Sequence, residues 1–188
     1  PAFYEPYLSI PKPYQKPYPA MLLPVDSQQS FVPMGTLGYK IAIGAGSSTH
    51  NLRGTTVQLE DVKNYRKAWK DAGHEGEPTT VVRIPTLLAD TKEEAERLSD
   101  ELMVLARHYF NGRIGIGSTD AGSASPDTTA EVNLFGTAED VVEKIEVLRE
   151  QYSTDEIMFE VNWTSSVPRD VVTNTIRILS DKVIPKFK

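Results

Sequence analysis

An apolar segment that ends at an acidic residue and two serines is the part of this sequence best suited to chemistry. Residues 20–25 are followed by Asp26, Ser27 and Ser30, and the pattern predicts a strand that leads into a helix. Small hydroxyl groups and free backbone N–H groups at the start of a helix form a natural phosphate site. The same residue types also begin ordinary helices as N-caps, so the residues alone leave both interpretations open.

Polar residues inside two other apolar segments are further candidates. Arg83 lies in the middle of residues 79–88, and an arginine that points into a core is costly unless it meets an anion or a carboxylate. Glu160 and Asn162 alternate with apolar residues, so they share one face of the last predicted strand. We predict catalytic roles for Arg83 and Glu160, and a purely structural ion pair between them is the alternative.

The three histidines give no metal site. His50, His74 and His108 show no metal-ligand spacing. His74 follows a predicted helix end and is expected to cap it, and His108 lies in the last turn of a helix, where the helix dipole favours a cation. His50 is expected in a solvated loop.

The composition is that of a globular protein without a nucleic-acid surface. The chain has 188 residues, of which 39% are hydrophobic and 24% charged, and its formal net charge is −6. This acidic balance argues against nucleic acid and anionic membranes as partners. The chain has no cysteine, no apolar run long enough to cross a bilayer and no visible signal peptide, which predicts a cytoplasmic protein.

The chain divides into an arm and one domain. Residues 1–19 contain six prolines interleaved with four tyrosines, a density that forbids helix and predicts an extended arm packed against its own domain. Residues 20–188 form the domain. Within it, residues 111–130 are rich in Gly, Ser, Thr and Asp, and their length is typical of a lid loop.

Hydrophobic periodicity predicts strands that alternate with helices. The strands are expected at residues 20–25, 40–43, 79–88 and 156–161. The helix at residues 28–37 is expected to be interrupted near Pro33 and to end at Gly38. Thr91 and Thr137 are predicted to cap two later helices.

The last helix is predicted to begin at Pro168 and to stop at Pro185. Its core side is expected to contain Val172, Ile176, Leu179 and Val183.

Alternation of this kind implies parallel strands covered by helices. An eight-stranded α/β barrel usually needs about 250 residues, so the predicted units amount to half of one. A small doubly wound sheet is the competing architecture, and its glycine fingerprint should follow the first strand. The only candidate, Gly44 and Gly46, has Thr49 where a third glycine is needed, so this fingerprint fails.

An ordered set of segments resembles the luciferase-like flavin-dependent monooxygenases over nearly the whole chain. The segments are residues 65–69 (YRKAW) with 72–74 (AGH), 89–95 (ADTKEEA), 135–140 (FGTAED), 157–162 (IMFEVN) and 183–187 (VIPKF). The resemblance implies a TIM-barrel α/β fold in which this chain supplies the parallel βα units of strands five to eight, half of the barrel. It also implies that residues 111–130 are the lid that shields the flavin from water.

The resemblance gives a role to Asp26, Ser27 and Ser30, which we call the serine step. In this family the flavin phosphate lies at the end of the fifth strand, and Asp26, Ser27 and Ser30 match the residues that hold it. The serine hydroxyls would donate hydrogen bonds, while Asp26 would contribute backbone or orient a neighbour. Some family members carry a basic residue at Arg83 that meets substrate or flavin, but they place a histidine where this chain has Pro85.

The implied activity is oxidation of a small organic substrate with O2 through a flavin hydroperoxide. FMN is the implied cofactor, reduced by a separate flavin reductase. An oxidoreductase that uses a deazaflavin such as coenzyme F420 is the enzymatic alternative. Four βα units alone expose two strand edges, so a homodimer or association with an N-terminal half is expected. A non-catalytic flavin-binding fragment that dimerises stays open.

Overall fold

The computed structural model describes residues 11–16, 19–25, 27–44, 59–114, 133–162 and 167–188, the side chains of residues 103 and 105–114 excepted. Strands alternate with helices along this part of the chain. The strands are β1 (Leu22–Val25), β2 (Lys40–Gly44), β3 (Thr80–Leu88), β4 (Leu134–Gly136) and β5 (Glu156–Glu160). The helices are α1 (Gln28–Leu37), α2 (Leu59–Asp71), α3 (Lys92–Ile114), α4 (Ala138–Tyr152) and α5 (Arg169–Ile178), followed by a π-helical turn (Leu179–Val183) and a 3₁₀ turn (Ile184–Phe187).

The strands form a sheet in which every described pairing is parallel. β2 lies between β1 and β3, and β5 pairs with the first half of β3. The short strand β4 pairs with the last three residues of β3. The parallel α/β architecture predicted from the sequence is therefore confirmed. The sequence analysis misses β4, because three residues are too short to show a period.

The first residue pair of each strand pairing shifts by one residue between neighbouring pairings. Pairing of β1 with β2 begins at Leu22 and Lys40, and pairing of β2 with β3 begins one residue later, at Ile41. Pairing of β3 with β5 begins one residue later again, at Val81. A closed barrel of eight strands advances by about one residue per strand. The sheet is therefore consistent with a partial TIM-barrel-like fold.

The two faces of the sheet have different surroundings. One face packs against the helices through the larger apolar cluster, to which Val25, Ile43, Val82 and Ile84 belong. Because side chains alternate along a strand, the residues between them point to the other face. We call this the second face, and its residues are Leu22, Pro24, Lys40, Ala42, Gly44, Val81, Arg83, Pro85, Glu156, Met158 and Glu160.

Three predicted helix boundaries are confirmed by local geometry. Gly38 follows α1 with a φ of 73°, a left-handed conformation that suits glycine. The backbone N–H of Glu94 donates to the Thr91 hydroxyl at 3.2 Å. At α4, Thr137 and Asp140 form a complete capping box, and these hydrogen bonds hold the pKa of Asp140 below its usual value.

Three expectations about helices are wrong. Pro33, the sixth residue of α1, leaves the carbonyl oxygen of Gln29 without an intrahelical N–H donor, yet the helix is continuous through it. In the last helix Ile176 is 51% exposed, whereas Thr175 and Ile178 are buried. Helical structure also continues past Pro185 to Phe187, since the chain tightens into a 3₁₀ turn there.

The predicted arm and lid fall largely outside the described residues. Of the arm, residues 11–16 and 19 are described; all are exposed, and Tyr14 is 99% exposed, so this part does not pack against the domain. At the predicted lid, α3 continues to Ile114, so residues 111–114 are helical. Residues 115–130 lie outside the described part. No described helix is both long and apolar enough to cross a membrane.

Candidate functional site

The candidate residues meet at one edge of the sheet. In a parallel sheet the carboxyl ends of all strands lie at the same edge, and barrel enzymes build their active sites there. Ser27 follows the end of β1, Arg83 is level with the last residue of β2, and Glu160 ends β5. The register thus brings the serine step and the Arg83–Glu160 pair to the same edge.

The serine step has two hydroxyls close together at the start of α1. The Oγ atoms of Ser27 and Ser30 are 3.0 Å apart and half-buried. Ser27 is the N-cap residue in an extended conformation, yet its side chain caps no first-turn N–H group. The first turn of α1 contains no acidic residue. The hydroxyls and the positive end of the helix dipole are therefore arranged to meet an anion. Asp26 lies outside the described residues.

The start of α1 is tied to the start of α2. The Gln28 side-chain amide donates to the Asp61 carboxylate at 3.3 Å. Further along, the helices approach closely at Gly35, since a Cβ atom there would clash with the Tyr65 carbonyl oxygen. These contacts fix the direction in which the first turn of α1 points.

Arg83 and Glu160 form an ion pair on the second face. Arg83 Nε lies 3.4 Å from Glu160 Oε1, and the two side chains are 33% and 23% exposed. Burial raises the pKa of Glu160, and the nearby guanidinium of Arg83 partly opposes this shift. A carboxyl group with a raised pKa holds its proton closer to neutral pH, which suits a group that exchanges protons with a substrate. The ion pair that the sequence analysis held as the structural alternative is thus present.

Asn162 differs from its prediction. β5 ends at Glu160, so Asn162 lies in the following turn rather than on the strand. Its Oδ1 accepts a hydrogen bond from the backbone N–H of Val167 at 3.1 Å. The side chain therefore braces the loop after β5, and the residue is exposed.

His74 caps the helix that it follows and contacts a second one. Its backbone N–H donates to the carbonyl oxygen of Trp69, in the last turn of α2, at 3.4 Å, and its side chain reaches α1. Its Nε2 lies 2.8 Å from the carbonyl oxygen of Thr36, in the last turn of α1. The ring packs on Trp69 of α2 with centroids 5.2 Å apart. His74 thus joins the C-terminal ends of α1 and α2. His50, Gly46 and the side chain of His108 lie outside the described residues.

A cleft between α3, β4 and α4 gives no signal in the sequence. Its volume is about 580 Å³, and Lys92, Ser99, Asp140 and Lys144 line it. The Ser99 hydroxyl is buried and has no hydrogen-bond partner among the described residues. Because these residues come from three elements and no local motif links them, only the folded chain brings them together.

Several solved structures have a fold similar to that of this chain. No protein-family model and no curated protein matches the sequence. Among solved structures, the monooxygenase RslO1 from Streptomyces bottropensis is 15% identical, with a TM-score of 0.63 over 95% of this chain and 51% of that one. The oxygenating constituent of a 3,6-diketocamphane monooxygenase from Pseudomonas putida, a Baeyer–Villiger enzyme in complex with FMN, is 21% identical, with a TM-score of 0.60 over 88% and 47%.

A third structure uses a different cofactor. The coenzyme F420-dependent tetrahydromethanopterin reductase from Methanopyrus kandleri is 16% identical, with a TM-score of 0.54 over 89% of this chain and 50% of that one. The chain thus spans about half the length of the solved structures it matches. At the level of the fold, these likenesses confirm the resemblance to luciferase-like flavin-dependent monooxygenases.

Proposed function

We propose that this chain is the flavin-binding half of a luciferase-like monooxygenase, supplying barrel strands five to eight, and that it works in the cytoplasm. The observation that carries the proposal is the Ser27–Ser30 hydroxyl pair at the start of α1, on the same sheet edge as Arg83 and Glu160. The fold is shared with solved monooxygenases, one of them in complex with FMN, which supports a flavin as the ligand of this edge.

The residues present fit the phosphate of FMN. Ser27 and Ser30 would donate hydrogen bonds from their hydroxyl groups to phosphate oxygens, and the N–H groups of the first turn of α1 would add positive potential. Asp26 supplies backbone or orients a neighbour, because its carboxylate would repel the phosphate. The Ser27 side chain is available for this role, since it caps no backbone group of α1.

Arg83 and Glu160 act on the substrate side of the site. Bound reduced flavin supplies the electrons that activate O2 for oxidation of a small organic substrate, and a separate reductase renews it. Arg83 holds and orients an electron-rich group of the substrate. As the carboxylate, Glu160 balances the arginine charge, and its raised pKa favours uptake of a proton from the substrate at Oε1 or Oε2.

Flavin titration tests the phosphate site. Replacing Ser27→Ala or Ser30→Ala removes a hydrogen bond to a charged group, which is expected to weaken FMN binding by about tenfold. Thr36→Ala is the matched control, because this exposed hydroxyl lies on the same helix and donates to the Val32 carbonyl oxygen of the preceding turn. Fluorescence quenching of FMN gives the affinity.

Riboflavin separates the phosphate site from the rest of the pocket. Because it lacks the phosphate, its affinity should be the same in the wild type and in both serine variants. An equal loss of FMN and riboflavin affinity in the variants would contradict the assignment. A chain that binds neither flavin would overturn the proposal and favour a non-catalytic fragment.

A deazaflavin is the second candidate cofactor, because the fold is shared with a coenzyme F420-dependent reductase. Titration with FMN and with a deazaflavin under the same conditions decides between them. Binding of the deazaflavin at least tenfold tighter than FMN would replace oxygen activation by hydride transfer as the proposed chemistry.

A further inference from the structure

The cleft between α3, β4 and α4 is large enough for a small molecule. Its volume of about 580 Å³ lies within the usual range of ligand pockets. Ala95 of α3 and Phe135 of β4 line it, and both belong to the smaller apolar cluster of the core. The cleft therefore combines an apolar lining with charged and hydroxyl side chains, as small-molecule sites do.

Ser99 is the unusual residue of this cleft. It is only 4% exposed, and its hydroxyl oxygen has no hydrogen-bond partner among the residues that the structure describes. A buried hydroxyl without a partner raises the free energy of the folded state, because it has lost its hydrogen bonds to water. A ligand whose N–H group reaches this oxygen would remove that cost. Ser99 thus favours a bound hydrogen-bond donor at this point of the cleft.

The basic residues of the cleft are already engaged within the chain. Lys144 Nζ donates to two backbone carbonyl oxygens around the start of β4, at 3.1 and 2.9 Å. The Thr137 hydrogen bonds, and after them the charges of Lys92 and Lys144, hold the pKa of Asp140 below its usual value. Asp140 is therefore a carboxylate at neutral pH, and its charge opposes the charges of the two lysines.

The acidic residues on α3 are not engaged in this way. Glu96 and Asp100 line the cleft and lie three positions before and one position after Ser99. Both residues are exposed, and neither forms an ion pair within the described ranges of the chain. Arg97, the basic residue between them in the sequence, pairs with two other glutamates instead. The charges left without a partner in this cleft are therefore negative.

We propose that this cleft binds a small organic cation, a guanidinium or primary ammonium group on a short apolar stem. Glu96 and Asp100 would accept charge-assisted hydrogen bonds from its N–H groups, and the Ser99 oxygen would accept a further one. The stem would lie against Ala95 and Phe135. A metal ion fits less well, since the described residues contain no group of three or more side chains able to hold one.

Titration with butylguanidinium at constant ionic strength, followed by the amide signals in NMR spectra, is the first test. Butylurea has the same shape without the charge, and tetramethylammonium has the charge without the N–H donors. We expect saturable binding of butylguanidinium with signal shifts at residues 95–100. The two other probes should bind at least about tenfold more weakly, because each lacks the charge-assisted hydrogen bonds.

Charge-neutral variants locate the bound cation. Glu96→Gln and Asp100→Asn each remove one charge-assisted hydrogen bond and should weaken butylguanidinium binding by about tenfold. Glu93→Gln is the matched control, because Glu93 is an exposed glutamate of the same helix that does not line the cleft. It removes the same charge from the chain, so its effect on the affinity should stay below about twofold.

Ser99→Ala separates a binding role from a structural one. Removing a buried hydroxyl that has no partner should leave the urea midpoint of unfolding equal to or above that of the wild type. The affinity for butylguanidinium should nevertheless fall by about fivefold, because one acceptor is lost. A variant that loses stability would show that the hydroxyl already has a structural partner, and would overturn the assignment of Ser99.

Three further outcomes would overturn the cation site. The first is the absence of saturable butylguanidinium binding up to about 10 mM. The second is an equal loss of affinity in Glu93→Gln and in Glu96→Gln, which would indicate a diffuse effect of charge. The third is binding of inorganic phosphate without binding of butylguanidinium, which would make this an anion site. None of these measurements uses a flavin, so the cation site and the proposed function fail separately.

Discussion

Arg83 and Glu160 face each other across β3 and β5, with Nε and Oε1 3.4 Å apart and both side chains partly buried. The pair is therefore neither a surface salt bridge nor a fully desolvated one. Burial dominates the pKa of Glu160 and raises it, while the Arg83 charge acts in the opposite direction. This balance gives the pair a measurable pH signature.

The free energy of unfolding should depend on pH through the titration of Glu160. Because the pKa of Glu160 is higher in the folded state, that state binds more protons than the unfolded state above about pH 4.3. The stability contributed by protonated Glu160 is present below that pH and is lost as the pH rises through the folded pKa. The free energy of unfolding of the wild type minus that of Glu160→Gln should therefore fall over this window.

Urea denaturation at a series of pH values measures this difference. Glu143→Gln serves as the control, because Glu143 is an exposed residue of α4. The difference in the free energy of unfolding between the wild type and Glu143→Gln should not change with pH in the same way. A flat profile for Glu160→Gln would show that Glu160 titrates alike in the folded and unfolded chain.

Arg66 should be irreplaceable by lysine. Its Nη2 donates to Asp155 Oδ2 at 2.8 Å and to the Ser153 carbonyl at 2.7 Å, and thereby joins α2 to the turn before β5. A lysine carries one compact charge and cannot reproduce the planar fork of donors. Arg66→Lys should lower the free energy of unfolding by about 2 kcal/mol, the value of a hydrogen bond to a charged group.

Lys67→Met is the matched change on the same helix. Lys67 pairs with Asp71 on the exposed side of α2, and such pairs contribute less than about 0.5 kcal/mol. Thermal and urea unfolding of both variants give the comparison. Equal losses in the two variants would show that the Arg66 contacts do not hold the turn.

Thr175 should be a stability determinant although it is polar. Its Oγ1 lies 3.2 Å from the backbone nitrogen of Leu88, which donates to it, and 3.4 Å from the Leu88 carbonyl oxygen, which accepts from it. Thr175→Val keeps the shape but leaves both backbone groups of a buried strand end without this partner. We expect a loss of about 1 to 3 kcal/mol in the free energy of unfolding.

The adjacent residue provides the contrast. Ile176 is 51% exposed, so Ile176→Ala should change the free energy of unfolding by less than about 0.5 kcal/mol. Urea denaturation of both variants is the measurement. A larger loss at Ile176 than at Thr175 would restore the helix face that hydrophobic periodicity predicts.

The exposure of Ile176 and the burial of Thr175 show what hydrophobic periodicity cannot predict. Apolar spacing predicts Ile176 on the core side, but α5 turns Thr175 inward because its hydroxyl satisfies the end of β3. The apolar pattern of one helix cannot reveal that the backbone N–H group of Leu88 bonds to Thr175, because Leu88 lies 87 positions earlier in the chain. The cleft lined by Ser99 escapes for the same reason, because its residues come from separate elements.

The sequence by itself determined the alternation of strands and helices, the parallel sheet and most helix ends, because period, caps and turn residues act over a few neighbouring positions. It also placed Arg83 and Glu160 in strands. Only the tertiary structure decided that these two side chains meet, because β5 pairs with β3 although the two strands are far apart in the sequence. Contacts of this kind depend on strand order and stagger, which are set by packing between distant segments.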